Sequence, residues 1–122
     1  MKPIVCLLLA GLLAGAVPAR AWAEGPGRYD VAGANPGGRG AYKGVAQLSQ
    51  TGRETWHMTW KIGNESFDGF GVGDAKSFAV TFSSGRAQGI ALYTAQPDGT
   101  YKGVWAGSTD PDAGTETLTP AH

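Results

Sequence analysis

Glycine is the residue that most constrains the fold of this chain, since it accounts for 20 of the 122 residues. Each glycine inside a helix costs about 1 kcal/mol relative to alanine, which argues against a helical bundle. Apolar residues instead occur in short alternating runs, and turn residues interrupt them at intervals of about 8 to 12 positions. This spacing is typical of an all-β sandwich or barrel, and the chain length allows one domain.

Eight strands are predicted from the alternation of apolar and polar residues. The third strand shows the pattern best, because Trp56, Met58 and Trp60 share one face, which we expect to be buried. The orientation of the sixth strand stays open, since the run Ile90-Ala91-Leu92-Tyr93 is apolar on both faces. The predicted strands comprise residues 27–33, 41–49, 54–62, 67–72, 77–82, 88–95, 100–106 and 115–119.

The predicted loops are short. Loops of about two to five residues join antiparallel neighbours, because a parallel crossover needs about a dozen residues or more. Eight such strands favour closure of the sheet, which removes its exposed edges. We therefore predict an eight-stranded antiparallel up-and-down barrel, a β-meander, with a β-sandwich as the alternative.

A four-residue sequence occurs twice. Tyr42-Lys43-Gly44-Val45 recurs as Tyr101-Lys102-Gly103-Val104, and each copy follows a turn that contains proline and glycine. The two copies indicate that the same kind of hairpin is used near both ends of the meander. If the sheet closes, they could lie near one another.

Residues 1–23 have the pattern of a secretory signal peptide. Lys2 precedes an uncharged apolar run over residues 4–17, and Ala21-Trp22-Ala23 fits a cleavage site after Ala23, with Ala21 as the alternative. The run is shorter than the roughly 20 residues of a membrane-spanning helix. We therefore expect an exported protein, periplasmic or extracellular, in which residues 24–122 form one domain that is free of the membrane. An uncleaved anchor is the other interpretation.

Cleavage would change the charge and the cysteine content. The chain has 10 basic and 10 acidic residues, and loss of Lys2 and Arg20 leaves 8 against 10, a formal charge of −2. Nucleic-acid-binding domains normally show a basic excess, so this balance argues against that class. Cys6 is the single cysteine, so the mature chain is expected to lack disulfides, and we predict no metal and no cofactor.

A possible ligand site is suggested by glycine and aromatic residues. Gly69, Gly71 and Gly73 leave one face of the fourth strand bare, either for a ligand or for strong coiling and the neighbouring tryptophan rings. An eight-stranded barrel is just wide enough to be filled by side chains or to hold one small ligand. The candidate ligand-binding residues are Trp56, Trp60, Gly69, Gly71, Gly73, Tyr93 and Trp105.

Signs of catalysis or metal binding are weak. His57 falls on the polar face of the third strand, and a general base would need a carboxylate within hydrogen-bond distance. No spacing selects a partner among Glu54, Glu65, Asp68 and Asp74. Acidic residues of the longest loop could bind calcium weakly, but a solvated acidic loop is the preferred interpretation; they are Asp110, Asp112 and Glu116.

A set of short motifs carries a family resemblance. The motifs are Asn35-Pro36-Gly37, Tyr42-x-Gly44, Thr59-Trp60-Lys61-Ile62-Gly63, Gly69-x-Gly71, Tyr93, Asp98-Gly99, Gly103-x-Trp105 and residues 114–119. Over residues 27–120 the chain resembles a group of small exported bacterial proteins, some of which carry the label "fibronectin-binding protein". The Tyr-x-Gly and Gly-x-Trp hairpins also look like those of the avidin and calycin barrels. No family binding residue is carried over.

Together these features predict an exported, non-enzymatic binding barrel. One version binds a protein partner through its outer face or loops, as the fibronectin-binding label implies. Another version holds a small apolar ligand inside, and this version requires a connected cavity of a few hundred Å³. The remaining alternative is a hydrolase-like enzyme that uses His57 in a concave site.

Overall fold

The computed structural model describes residues 25–121, and there the chain forms a closed antiparallel barrel. The strands follow one another in chain order, and the last pairs with the first. They are β1 (Gly27–Ala34), β2 (Ala41–Gln50), β3 (Thr55–Ile62), β4 (Glu65–Asp74), β5 (Ser77–Ser84), β6 (Ala87–Ala95), β7 (Tyr101–Gly107) and β8 (Gly114–Pro120). The predicted eight-stranded up-and-down barrel is confirmed and replaces the sandwich alternative. The predicted signal peptide lies outside the described residues.

The connections are short turns, as expected. The longest carries no regular structure, and the loop between β1 and β2 contains one 3-10 turn, Pro36–Gly38. Within residues 25–121, no helix is long and apolar enough to cross a lipid bilayer.

Many of the large side chains in the barrel interior lie directly opposite a glycine of a neighbouring strand. A Cβ atom built at Gly103, for example, would lie 2.6 Å from the ring of Tyr93. The bare backbone therefore provides space, which the paired ring fills at Gly103 and the backbone of β5 fills at Gly69 and Gly71. The pairs are Gly33–Tyr42, Gly44–Ile62, Gly69–Met58, Gly71–Trp56, Gly73–Phe78, Gly89–Phe82, Gly103–Tyr93 and Gly114–Trp105.

This pairing also explains the orientation of β6, which the sequence left open. Tyr93 points inward, where Gly103 leaves room for its ring, and alternation turns Ile90 and Leu92 outward. The inward neighbours Ala91 and Ala95 are small and buried. Two large apolar side chains are consequently left on the surface.

One end of the barrel is filled with aromatic side chains. We call it the closed end; there β1 begins. The hydroxyl of Tyr29 donates to the Gly25 carbonyl oxygen at 2.6 Å, and that of Tyr101 donates to Ala75 at 2.6 Å. These polar tips bind free backbone carbonyls while the rings pack in the core. The loops of residues 35–40, 63–64, 85–86 and 108–113 surround the opposite end, the open end.

The two copies of the repeated sequence are not neighbours. Tyr42 is the second residue of β2, at the open end, whereas Tyr101 begins β7 at the closed end. Strands β8 and β1 lie between them in the closed sheet. Closure of the sheet therefore does not bring the copies near one another, because consecutive strands alternate in direction and two of them separate the copies.

Replacing Gly69 by alanine tests the role of the inward glycines. The packing argument says that they leave space for neighbouring atoms, whereas turn glycines are needed for their backbone conformation. A Cβ atom there would collide with the backbone carbonyl of Thr81 on β5, so we expect a loss of about 3 kcal/mol of unfolding free energy. Gly63→Ala is the control, since Gly63 has a φ of 63° but open space around it, and it should cost about 1 kcal/mol. Denaturant unfolding measures both; equal losses would contradict the packing argument.

Candidate functional site

A cavity opens into the barrel at its open end. Its volume is about 250 Å³. Most of its lining is aromatic, and the rings come from Tyr42, Trp60, Phe67, Phe82, Tyr93 and Trp105. Asn35, Ile62, Glu65, Ala91 and Glu116 complete the lining. The described barrel is therefore filled at one end and hollow at the other.

The aromatic rings around the cavity pack against one another edge to face. Phe82 is the centre of this arrangement: its ring makes edge-to-face contacts with Phe67 at 6.0 Å, Trp105 at 5.8 Å and Trp60 at 6.3 Å between ring centroids. Tyr42 packs against Trp105 in the same way at 6.1 Å. Such pairs are favourable beyond the area they bury, so the wall is preformed.

Glu116 is buried at the bottom of this cavity. It points inward from β8, and only 8% of its surface is exposed. One carboxylate oxygen accepts a hydrogen bond from the Tyr93 hydroxyl at 2.5 Å, and the other accepts one from the Tyr42 hydroxyl at 2.7 Å. The indole nitrogen of Trp60 donates to the Tyr93 hydroxyl at 3.2 Å.

The direction of these hydrogen bonds is fixed by the chemistry of tryptophan. An indole N–H can only donate, so the Tyr93 oxygen accepts from Trp60 and its own proton points to Glu116. The Oε1 atom of Glu116 is therefore an acceptor, and the Tyr42 hydroxyl donates to Oε2; two accepting oxygens suit a carboxylate.

Burial and hydrogen bonding act in opposite directions on Glu116. Burial raises the pKa of this carboxyl, while the bonds from Tyr93 and Tyr42 lower it, and the net pKa lies above the usual value. Burial and the neighbouring Glu116 charge both raise the pKa of Tyr93 and of Tyr42. The two phenols accordingly remain protonated donors at neutral pH.

The candidate residues from the sequence are divided between the two ends. Trp60, Tyr93 and Trp105 line the cavity together. Trp56 is 1% exposed in the closed-end core, where its indole nitrogen donates to the Gly73 carbonyl oxygen at 2.8 Å.

The three glycines of β4 lie outside the cavity lining. A Cβ atom at Gly69, Gly71 or Gly73 would collide with the backbone of β5. Their placement therefore matches the coiling interpretation, in which bare backbone lets the next strand approach closely.

Sequence reasoning missed Glu116 as an interior residue and placed it with the acidic loop. In the structure Asp110 accepts from the Gly107 amide at 2.8 Å and faces Arg39 at 3.7 Å, whereas the partners of Glu116 are Tyr42 and Tyr93. No cluster of three or more histidine, cysteine or acidic residues suited to a metal occurs within residues 25–121. The available signal was alternation: Gly114, Glu116 and Leu118 share a face, between outward threonines.

His57 lies outside the barrel. Its Nε2 atom is 2.8 Å from the Asp68 carboxylate on the neighbouring strand, and both side chains are largely exposed. The pair occupies the convex outer wall and does not line the cavity. The hydrolase-like hypothesis, which required His57 in a concave site, therefore lacks its geometric basis.

The raised pKa of Glu116 predicts a pH-dependent stability. A carboxyl whose pKa is raised by folding favours the folded state below the ordinary pKa of glutamic acid, and this contribution is lost as the pH rises through the raised value. Glu116→Gln removes the effect, so from acidic to neutral pH its unfolding free energy should rise relative to that of the wild type. Denaturant unfolding at several pH values measures this, with Glu54→Gln on an exposed closed-end loop as the control. Parallel curves for Glu116→Gln and the wild type would contradict the assignment.

Comparison with known proteins supports the fold and gives no family. No protein-family model matches this sequence, and no curated protein matches it. Among solved structures, a redesigned β-barrel, b11L5F_LGL, has a TM-score of 0.69 and 17% identity over 80% of this chain and 91% of that chain. Another redesigned β-barrel, mFAP1, bound to DFHBI, has a TM-score of 0.65 and 14% identity over 77% of this chain and 93% of that chain. At these identities the likeness shows the barrel fold alone, and the resemblance to exported bacterial proteins stays a prediction.

Proposed function

We propose that this protein is an exported, non-enzymatic barrel that binds a small, largely apolar ligand in the cavity at its open end. The observation that carries this proposal is the cavity itself, about 250 Å³ of space lined by six aromatic residues and open to solvent at one end. Concave, mostly apolar sites with a few convergent polar groups are typical of ligand binding. Export rests on the signal-peptide pattern of residues 1–23.

The volume limits the size of the ligand. An apolar cavity of about 150 Å³ holds benzene, and sites for drug-sized molecules begin at about 300 Å³. A cavity of about 250 Å³ therefore suits a molecule of one or two rings. The mFAP1 structure supports this interpretation, because a barrel of the same fold is bound to DFHBI there.

Binding of benzyl alcohol, a one-ring neutral probe, tests the site. Trp60 and Trp105 line the cavity, whereas Trp56 lies at the closed end. Titration with benzyl alcohol should therefore give saturable NMR shifts of the indole signals of Trp60 and Trp105 and little change in that of Trp56. Ala91 is buried in the cavity wall, and Ala91→Leu should fill the space and abolish the shifts. Ala106→Leu, on the outward face of β7, is the matched control. Binding that persists in Ala91→Leu, or shifts Trp56 equally, would overturn the proposal.

A second candidate function is binding of a protein partner through the outer wall. Phe70 and Val72 on β4 are 69% and 64% exposed. Val72 pairs with Ala79 on β5, and Ala79 pairs with Leu92 on β6. Leu92 in turn pairs with Val104 on β7. The exposed apolar side chains thus form one patch across four strands, and such patches commonly mark protein interaction sites.

Purified fibronectin is the probe for this second function, as the family resemblance suggests. Leu92→Ser, in the middle of the patch, should weaken binding by about tenfold or more in surface plasmon resonance, the size expected for a central interface residue. Val45→Ser, on the outward face of β2, is the control. Equal binding by the two variants, or no binding by the wild type, would count against fibronectin. Self-association that Leu92→Ser abolishes, seen by light scattering, would assign the patch to a second copy of the chain.

A further inference from the structure

We propose that the open-end cavity selects small organic cations, molecules with an ammonium group on an aromatic or apolar body, over neutral and anionic molecules of the same size. The inference rests on the proposed ligand-binding function. It is carried by a buried carboxylate that has hydrogen-bond donors but no cationic partner, inside a wall of aromatic rings.

Glu116 makes no ion pair within residues 25–121. Arg39 faces Asp110 near the open end, and Lys102, on the strand next to Glu116, is exposed on the outer face. Glutamate is rarely buried unless it is paired, because an isolated buried charge is costly. A ligand that brings a positive charge would supply the missing partner.

The carboxylate retains capacity for such a partner. A carboxylate has about four lone-pair sites, and the tyrosine hydroxyls of Tyr42 and Tyr93 occupy one on each oxygen of Glu116. The free sites can accept N–H donors from a ligand, and the two tyrosines fix the orientation of the carboxylate before binding. Hydrogen bonds between charged groups are stronger than neutral ones.

The charge of the lining separates cations from anions. Two carboxylates, Glu65 and Glu116, belong to the lining, and no lysine or arginine does. A carboxylate ligand such as a fatty acid would place a second negative charge beside Glu116 without compensation. The lining of the cavity therefore disfavours the binding of anionic ligands.

The aromatic rings provide the second attraction for a cation. The faces of tryptophan and tyrosine carry partial negative charge and attract ammonium groups within about 6 Å of the ring centre. Trp60, Tyr42 and Trp105 surround the region of the cavity next to Glu116. An ammonium group between these rings and the carboxylate gains both interactions.

Three one-ring probes of similar size test the inference at mildly alkaline pH: benzylammonium, benzyl alcohol and benzoate. Isothermal titration calorimetry should give about tenfold tighter binding of benzylammonium than of benzyl alcohol, and weaker binding of benzoate than of either. Glu116→Gln should remove the preference for the cation, so that benzylammonium and benzyl alcohol bind this variant with about equal affinity. Glu54→Gln, an exposed carboxylate far from the cavity, should keep the preference.

Titration of the wild type provides an independent measurement if the variant fails to fold. Affinity for benzylammonium should fall as the pH is lowered through the raised pKa of Glu116, while affinity for benzyl alcohol stays constant. The ionisable groups that face Glu116 are the phenols of Tyr42 on β2 and Tyr93 on β6, which stay protonated in this range; Glu65 lies in the lining on β4. Inward residues of the neighbouring strands β1 and β7 include Gly33, Gly103 and Trp105, which carry no charge.

The outcomes separate the two proposals. If none of the three probes binds, the ligand-binding function itself fails. If benzyl alcohol binds as tightly as benzylammonium, or if Glu116→Gln keeps the preference for the cation, the ligand-binding function stands and the selectivity for cations is overturned.

Discussion

Pairing of large inward side chains with glycines on the next strand is the constraint on which the whole barrel depends. An eight-stranded barrel has an interior just wide enough for side chains, so a large ring needs room beside it. A glycine on a neighbouring strand often supplies that room, as Gly103 does for Tyr93 and Gly114 does for Trp105. Where two rings do face each other across adjacent strands, as Phe78 and Tyr93 do, a glycine lies on the other side of each, Gly73 and Gly103. The abundance of glycine is thus a packing requirement that aromatic residues impose on a narrow barrel.

The two ends of the barrel use the same side chains for different purposes. At the closed end Trp56 and Tyr101 donate to the backbone carbonyls of Gly73 and Ala75, so their polar tips fill the end and seal it. At the open end Tyr42 and Tyr93 donate to one carboxylate, that of Glu116. The rings are thereby held back against the wall, and space remains in front of them.

Alternation and turn chemistry made the fold predictable from the sequence, because both are local properties. The run from Trp56 to Trp60 shows the buried face of β3 directly. The orientation of β6 was not predictable, since both of its faces are apolar and the choice depends on Gly103 of another strand. The candidate site was predictable in part, because the aromatic character of Trp60, Tyr93 and Trp105 can be read from the sequence. Glu116 was missed because its acidic neighbours in sequence lie in a solvated loop, while its hydrogen-bond partners lie 74 and 23 residues away.

Glu116 is the point at which this otherwise consistent sequence departs from the rules of a stable core. The inward positions of the described barrel are apolar or glycine almost throughout, and a buried carboxylate without a cation opposes folding at neutral pH. An apolar residue of similar size would pack more favourably at this position. In a sequence whose local and global preferences agree elsewhere, such departures are expected at functional sites. The departure coincides with the cavity at the open end of the described barrel, where the carboxylate belongs to the lining; a functional role for this cavity would account for both the carboxylate and the space in front of it.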